Sequence, residues 1–229
     1  MIRLGELELD PAFTTVSERR EWRDTACLRT ARVNGLAAGH ANAQQREAWL
    51  DRVWAAAEGD GVSPVALSLR HGRVLWVRPV RLAREGHHRT PDGAFTLEFA
   101  AVDPREEAGT ESVVPWPITT RDADTVLFSH GTAPAPLTIS FTAGDDILWP
   151  SFSDGTRTLR YQGMMAAGQT LTLDGAARKV LLDELDVTAQ CSGEFPGPLS
   201  GGELTLHYRD DLDSSHTGHA VVRWRDVWW

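Results

Sequence analysis

The sequence predicts a mainly β protein of α+β character: a small β-barrel or split-barrel sheet covered by one helix, then a β-sandwich. Three observations carry this. Apolar and polar residues alternate with period two through most of the chain, a single stretch switches to helical period, and turn signals recur at near-regular spacing in the second half. A length of 229 residues supports one or two domains.

Ile2, Leu4, Leu7 and Leu9 are expected to form one edge strand with a bulge at Gly5, ended by Asp10-Pro11. Thr25 to Val33 is expected to supply a second short strand. The helix is placed over residues 43–58, with Asn42 as N-cap, Gln45 three residues on, and Gly59 and Gly61 as the stop. At 100° per residue, Ala43, Arg46, Trp49, Leu50, Val53, Trp54 and Ala57 fall within one arc of about 140°. Glu47, Asp51, Arg52 and Glu58 lie outside it.

The period then returns to two. Val62 to Arg70, Arg73 to Arg84 and Ala94 to Val102 read as strands, the first two meeting at His71-Gly72. Residues 1–104 therefore read as the first domain. Residues 105–123 read as a linker, because Asp103 to Trp116 is charged, then Pro-rich, and shows no periodicity.

Residues 124–229 read as all-β. Strands are expected at Thr125–Phe128, Leu137–Thr142, Thr158–Gln162, Thr170–Asp174, Lys179–Leu182, Asp186–Cys191, Leu204–Tyr208 and Ala220–Trp224. Turns are expected at Asp154-Gly155, Ala167-Gly168, Asp174-Gly175 and Gly201-Gly202, a spacing that fits a β-sandwich.

The 32 acidic and 23 basic residues leave a net charge of −9, which opposes adhesion to a phosphate backbone. No apolar run is long enough to span a bilayer, and the first ten residues lack the apolar core of a signal peptide. Cys27 and Cys191 are expected as reduced buried thiols, with a disulfide left to geometry.

Motifs for catalysis are wanting. G-x-S-x-G and the phosphate-loop spacing are absent, and Cys191 reads as core. His87-His88 reads as a solvated loop tip, since neighbouring residues on a strand face opposite ways. Asp210, Asp211 and Asp213 with Ser214, Ser215 and His216 miss the EF-hand pattern and read as a solvated hairpin loop. Asp145-Asp146 reads as a turn. The expectation is a non-enzyme with no catalytic residue, cofactor or metal, although a carboxylate pair assembled in space stays open.

Tryptophan is the one excess. Trp49 and Trp54 lie on the helix arc, and Trp76 and Trp224 lie within strands. Trp228 and Trp229 have two readings: an anchor for a partner, or a terminal strand docking on its own sandwich.

Several stretches of the second half occur in an order that resembles the C-terminal domain of siphophage and prophage distal tail proteins. Gly131-Thr132-Ala133-Pro134-Ala135-Pro136-Leu137-Thr138-Ile139 is similar to that family's Gly-then-Pro lead into a first sandwich strand. Trp149-Pro150-Ser151-Phe152 is similar to its Asn-Pro segment, with Trp in place of Asn. Leu159-Arg160-Tyr161-Gln162-Gly163 leads to Ala167-Gly168-Gln169-Thr170-Leu171-Thr172-Leu173-Asp174, then Arg178-Lys179-Val180, similar to its Gly-[DEQ]-Thr-Leu-x-[IL]-Asp and Arg-x-Val. Phe195-Pro196-Gly197-Pro198-Leu199-Ser200-Gly201-Gly202-Glu203-Leu204 resembles its Pro-Gly-x-Asn turn, with Gly202-Glu203 where Gly-Asn is usual. In the first half a helix, a hairpin, Phe95-Thr96-Leu97-Glu98-Phe99 and Asp103-Pro104 resemble the family's ring-forming domain, while residues 1–39 remain unplaced.

The resemblance implies a tail-tip baseplate protein of the virion, made in the bacterial host cytoplasm. It implies a homohexameric ring of first domains, galectin-like sandwiches projecting outward, and DNA only as passing cargo. Implied partners are the tail tube protein, a tail-associated hub protein and receptor-binding proteins, with no membrane. A closed ring needs two different patches on each copy. Arg73, Arg81 and Arg84 on one strand are the expected oligomer-interface residues, and Trp228 and Trp229 the expected partner contacts. The alternative is a monomeric carbohydrate-binding module with exposed Trp as sugar platforms; a glycan-active enzyme is the remaining one.

Overall fold

Asn42 caps the one α-helix among the described residues, which are 2–86 and 93–229 of this computed structural model. Its side-chain oxygen accepts from the Gln45 backbone N–H at 2.9 Å, and the Gln45 side chain accepts from the Ala41 N–H at 3.1 Å. Two donors at the helix start are thus satisfied reciprocally. Helix α1 spans Ala43–Glu58 and stops at Gly59, whose φ of 59° lies in the left-handed region that glycine tolerates. Arg46, Leu50, Val53 and Ala57 form its buried face.

The chain divides into two compact units, Met1–Gly109 with Trp229, and Thr110–Trp228. In the first, β1 (Ile2–Leu4), β2 (Leu7–Leu9), β3 (Thr14–Arg23) and β4 (Ala26–Ala37) precede the helix. After it come β5 (Val65–Ser68), β6 (Arg73–Gly86), β7 (Gly93–Ala101) and β8 (Glu106–Ala108). The strand order is β2-β1-β5-β6-β7-β4-β3, antiparallel throughout, with β8 paired to β6. The sheet is a curled half-barrel whose path ends at β2 and β3.

Helix α1 covers the inner face of that sheet. Leu50 and Val53 share a core with Leu4, Val33, Leu67, Val77, Leu97 and Phe99. Gly35 makes the packing possible. It lies opposite Phe95 in the β4–β7 register, and a Cβ on it would sit 2.1 Å from the Phe95 ring. The ring therefore lies over bare backbone, and its centroid is 5.5 Å from that of Trp49 on the helix.

Several expectations change. The N-terminal segment is a hairpin rather than one bulged strand: Ile2 pairs with Leu9, and Gly5 turns the chain with φ of 57°. Strand β3 escapes the sequence reading because it is a sheet edge with polar residues on both faces, among them Ser17, Arg19 and Arg20. The His87-His88 pair falls outside the described residues.

The expected linker 105–123 is largely structured. It holds β8 and also β9 (Ser112–Ile118), which pairs with the late strand at residues 218–224. Pro115 and Pro117 hid it. Both sit at exposed alternate positions of an edge strand, where a missing N–H is tolerated, while Trp116 and Ile118 point into the core.

The second unit continues with β10 (Asp122–Ser129), β11 (Thr138–Ala143), β12 (Ile147–Leu148), β13 (Ser151–Ser153) and β14 (Thr158–Tyr161). Then follow β15 (Met164–Met165), β16 (Thr170–Asp174), β17 (Lys179–Leu182), β18 (Leu185–Asp186) and β19 (Cys191–Gly193). Strands β20 (Gly202–Arg209) and β21 (Gly218–Trp224) complete two sheets, β10-β20-β13-β14-β19 and β18-β17-β16-β11-β21-β9. The expected strand Asp186–Cys191 is instead mostly a 3₁₀ turn at Thr188–Gln190, and Cys191 begins a strand rather than ending one.

The sheets pack face to face through aromatic rings. Phe141 and Trp116 from one meet Phe152 and Tyr208 from the other at centroid distances of 5.1 to 6.5 Å. Such pairs add about 0.5–1.5 kcal/mol each beyond their buried area.

Two substitutions test this packing. Gly35→Ala is expected to lower stability by about 1–3 kcal/mol, because Phe95 must leave its position. Asn42→Ala is expected to cost about 1 kcal/mol through the lost cap. Urea unfolding checks both, and an unchanged midpoint for Gly35→Ala contradicts the packing described.

Candidate interaction surfaces

A buried guanidinium fixes the first unit's long hairpin. Arg29 on β4 has a fully buried side chain. It donates through Nε to Glu18 at 3.0 Å, through Nη1 to the Pro104 carbonyl at 3.0 Å, and through Nη2 to Glu106 at 2.5 Å. Glu106, itself buried, also meets Arg70, and Arg73 approaches it at 3.8 Å. Arg70 closes the network on Glu18 at 3.1 Å. Strands β3, β4 and β8 and the β5–β6 turn are tied by charge-assisted hydrogen bonds with both signs satisfied.

Arg73 is thus engaged within its own chain. Arg84 is as well, donating to Asp51 at 2.9 Å, with Glu47 at 3.7 Å and the Trp54 ring 5.8 Å beneath its guanidinium. Arg81 is exposed on β6, next to a bulge at Pro79/Arg81 that leaves Val80 turned to solvent. Trp228 donates its indole N–H to the His130 carbonyl at 3.0 Å, within the second unit. Trp229 is half-exposed, its ring 6.0 Å from that of Trp22 on β3, with Arg105 over it at 5.7 Å.

Two features at opposite ends of the sheet path were not legible in the sequence. Among the described residues β3 pairs with β4 alone, so one side of a ten-residue strand presents unpaired backbone groups. Near its end Trp22 is 64% exposed, and Leu28 and Leu36 on β4 are also exposed. At the other end an apolar groove of about 610 Å³ lies between α1 and the β1–β2 hairpin, with Leu4, Leu7, Ala55, Ala56, Pro64 and Val65 among its lining.

The acidic loop is not wholly solvated. The Asp210 side chain is fully buried, accepting from the Tyr208 hydroxyl at 3.0 Å and facing His216 Nδ1 at 2.7 Å. Burial pushes its carboxyl above the usual range against the pull of those hydrogen bonds. Asp210 therefore anchors the loop after β20 to the aromatic core. Ser214 bonds the Leu148 backbone in the same region. No group of three or more His, Cys, Asp or Glu among the described residues could hold a metal ion. No helix among them is long and apolar enough to cross a membrane.

Cys27 and Cys191 are both unbridged and half-buried rather than buried. Burial, and then the Asp186 charge, push the Cys191 thiol up to about 11.

No protein-family model matches the chain, and no curated protein does. Among solved structures the chain is similar to the crystal structure of SPP1 Dit (gp 19.1), described as a paradigm of the hub adsorption apparatus in phages that infect Gram-positive bacteria. The TM-score is 0.64 at 12% identity, over 100% of this chain and 92% of that one. At that identity the likeness is one of fold, and it runs through both units.

Two measurements test these assignments. Glu106→Ala is expected to cost about 3–5 kcal/mol, because it leaves Arg29 buried beside an unfilled position; loss of the exposed Arg19–Glu21 pair costs about 1 or less. Iodoacetamide at pH 8 is expected to alkylate Cys191 more than tenfold slower than a free thiol of pKa about 8.5. The rate climbs as pH approaches 11.

Proposed function

We propose that the chain is a structural component of a phage tail tip, a distal tail protein that joins the tail tube to the adsorption apparatus. The observation that carries this reading is the likeness to SPP1 Dit over the whole chain. The first unit closes into a hexameric ring through which DNA passes, and the galectin-like second unit carries contacts on the outside. Tail tube protein lies on one face of the ring, a tail-associated hub protein on the other, and receptor-binding proteins around it. The protein is made in the host cytoplasm and resides at the virion tail tip.

The physics of the first unit supports a head-to-tail contact. A heterologous ring needs two different complementary patches. The open edge of β3 with exposed Trp22 is one, and the apolar groove beside α1 at the other end of the strand path is the second. Arg81 is the cation of the expected set left to meet a neighbour's acid, since Arg73 and Arg84 hold carboxylates of their own chain. Trp229, beside Trp22, belongs to the same exposed aromatic patch. A ring of chains each carrying −9 also avoids the counterion-release attraction that would hold passing DNA.

Light scattering behind size exclusion, over a range of concentrations, tests the ring. A species near six times 25.2 kDa is expected, and Trp22→Ser is expected to weaken its assembly at least tenfold without shifting the unfolding midpoint. A strict monomer at every concentration contradicts the ring.

A further inference from the structure

Trp149 is held in a conformation its own chemistry disfavours. Its φ of 52° lies in the left-handed region, where a bulky side chain is rare. It also precedes Pro150, which favours an extended residue before it. A backbone bond fixes it there, since the Trp149 N–H donates to the Gly163 carbonyl at 3.0 Å. The indole is spent on solvent rather than on the aromatic core, for Trp149 is 49% exposed. Strain kept at an exposed aromatic residue points to a contact that its side chain makes.

The neighbouring segments extend the surface. Strand β12 lies between β15 and the loop after β20. Leu148 is opposite Met164 in the β12–β15 register, and its carbonyl accepts from the Asp211 N–H at 3.0 Å. The Ser215 N–H bonds the Asp146 carbonyl at 3.1 Å on the loop side. Three backbone segments thus run side by side, about 10 Å from the first to the third. Met164 and Leu212, on the outer two, are both more than half exposed. With Trp149 they give this region an apolar surface.

The rim of that surface is acidic. Asp145 and Asp146 precede β12, and Asp211 and Asp213 lie in the loop beside it. None of these has an ion-pair partner among the described residues. The cations close by are taken up at Asp210, whose carbonyl accepts from Arg121 at 3.2 Å and whose carboxylate faces His216 at 2.7 Å. Such a rim repels phosphates and anionic lipid surfaces and attracts lysine and arginine. Apolar anchors inside it fit a polypeptide segment that alternates basic and apolar side chains.

We propose that the surface around Trp149 docks a basic, amphipathic segment of a partner polypeptide. Trp149 is the apolar anchor, and Asp145, Asp146, Asp211 and Asp213 hold the cations of the segment. The site belongs to the second unit and does not require the ring.

The test titrates the full chain into a short labelled peptide of alternating lysine and leucine, read by fluorescence anisotropy. Glutamate–leucine and lysine–serine peptides of equal length are the controls. The lysine–leucine peptide is expected to bind at least tenfold more tightly than either. Trp149→Asn is expected to weaken that binding at least tenfold while raising the urea midpoint, because asparagine takes the left-handed conformation at lower cost. Asp211→Asn combined with Asp213→Asn is expected to weaken binding at least threefold and to flatten its salt dependence. Leu185→Ser, at an exposed apolar residue on β18, is expected to leave binding unchanged. Equal affinity for the three peptides overturns the proposal. So does binding that survives Trp149→Asn, or a fall in the midpoint alongside its loss.

Discussion

The first unit depends on the burial of one guanidinium. Arg29 lies within the sheet's inner face, where an unpaired charge would be untenable, so every group around it is arranged to accept from it. Glu18 comes from the edge strand, the Pro104 carbonyl from the chain after β7, and Glu106 from the short strand β8. A one-residue slip of β3 against β4 would lose the Glu18 bond, and a slip of β4 against β7 would turn Arg29 from Pro104 and Glu106. A long edge strand is thereby tied through Glu18 to Arg29 and Arg70, and its outer edge is left unpaired among the described residues.

The proposed head-to-tail contact rests on that unpaired edge. An open edge on a mobile strand invites indiscriminate pairing, whereas a fixed edge offers one geometry to one neighbour. The second unit has a different economy. Its two sheets close on a dense aromatic core, with Phe141, Phe152 and Tyr208 in mutual contact. On the outward face Asp122 pairs with Arg209 and Asp124 with His207 across β10 and β20, exposed contacts that add little beside that core.

Local chemistry was legible in the sequence where a residue's neighbours along the chain decide its role. The cap at Asn42, the helix stop at Gly59 and strands such as Thr170–Asp174 are of this kind, because capping and alternation are short-range. Features set by distant residues were not. Arg29 reads as one arginine among many, and only the meeting of β3, β4 and β8 makes it a core residue. Strand β9 was hidden by prolines that an edge position tolerates. The interface arginines illustrate the same limit: spacing put Arg73, Arg81 and Arg84 on one strand, but Glu106 and Asp51, remote in sequence, hold two of them.

In the proposed ring the free edge of β3 is where one copy meets the next. Amide hydrogen exchange on the full chain, compared between concentrations at which it is assembled and dissociated, addresses it directly. Peptides covering Thr14–Arg23 are expected to gain protection on assembly while those covering Thr158–Tyr161 do not. Unchanged exchange in the β3 peptides on assembly, or protection centred on the second unit, would contradict it.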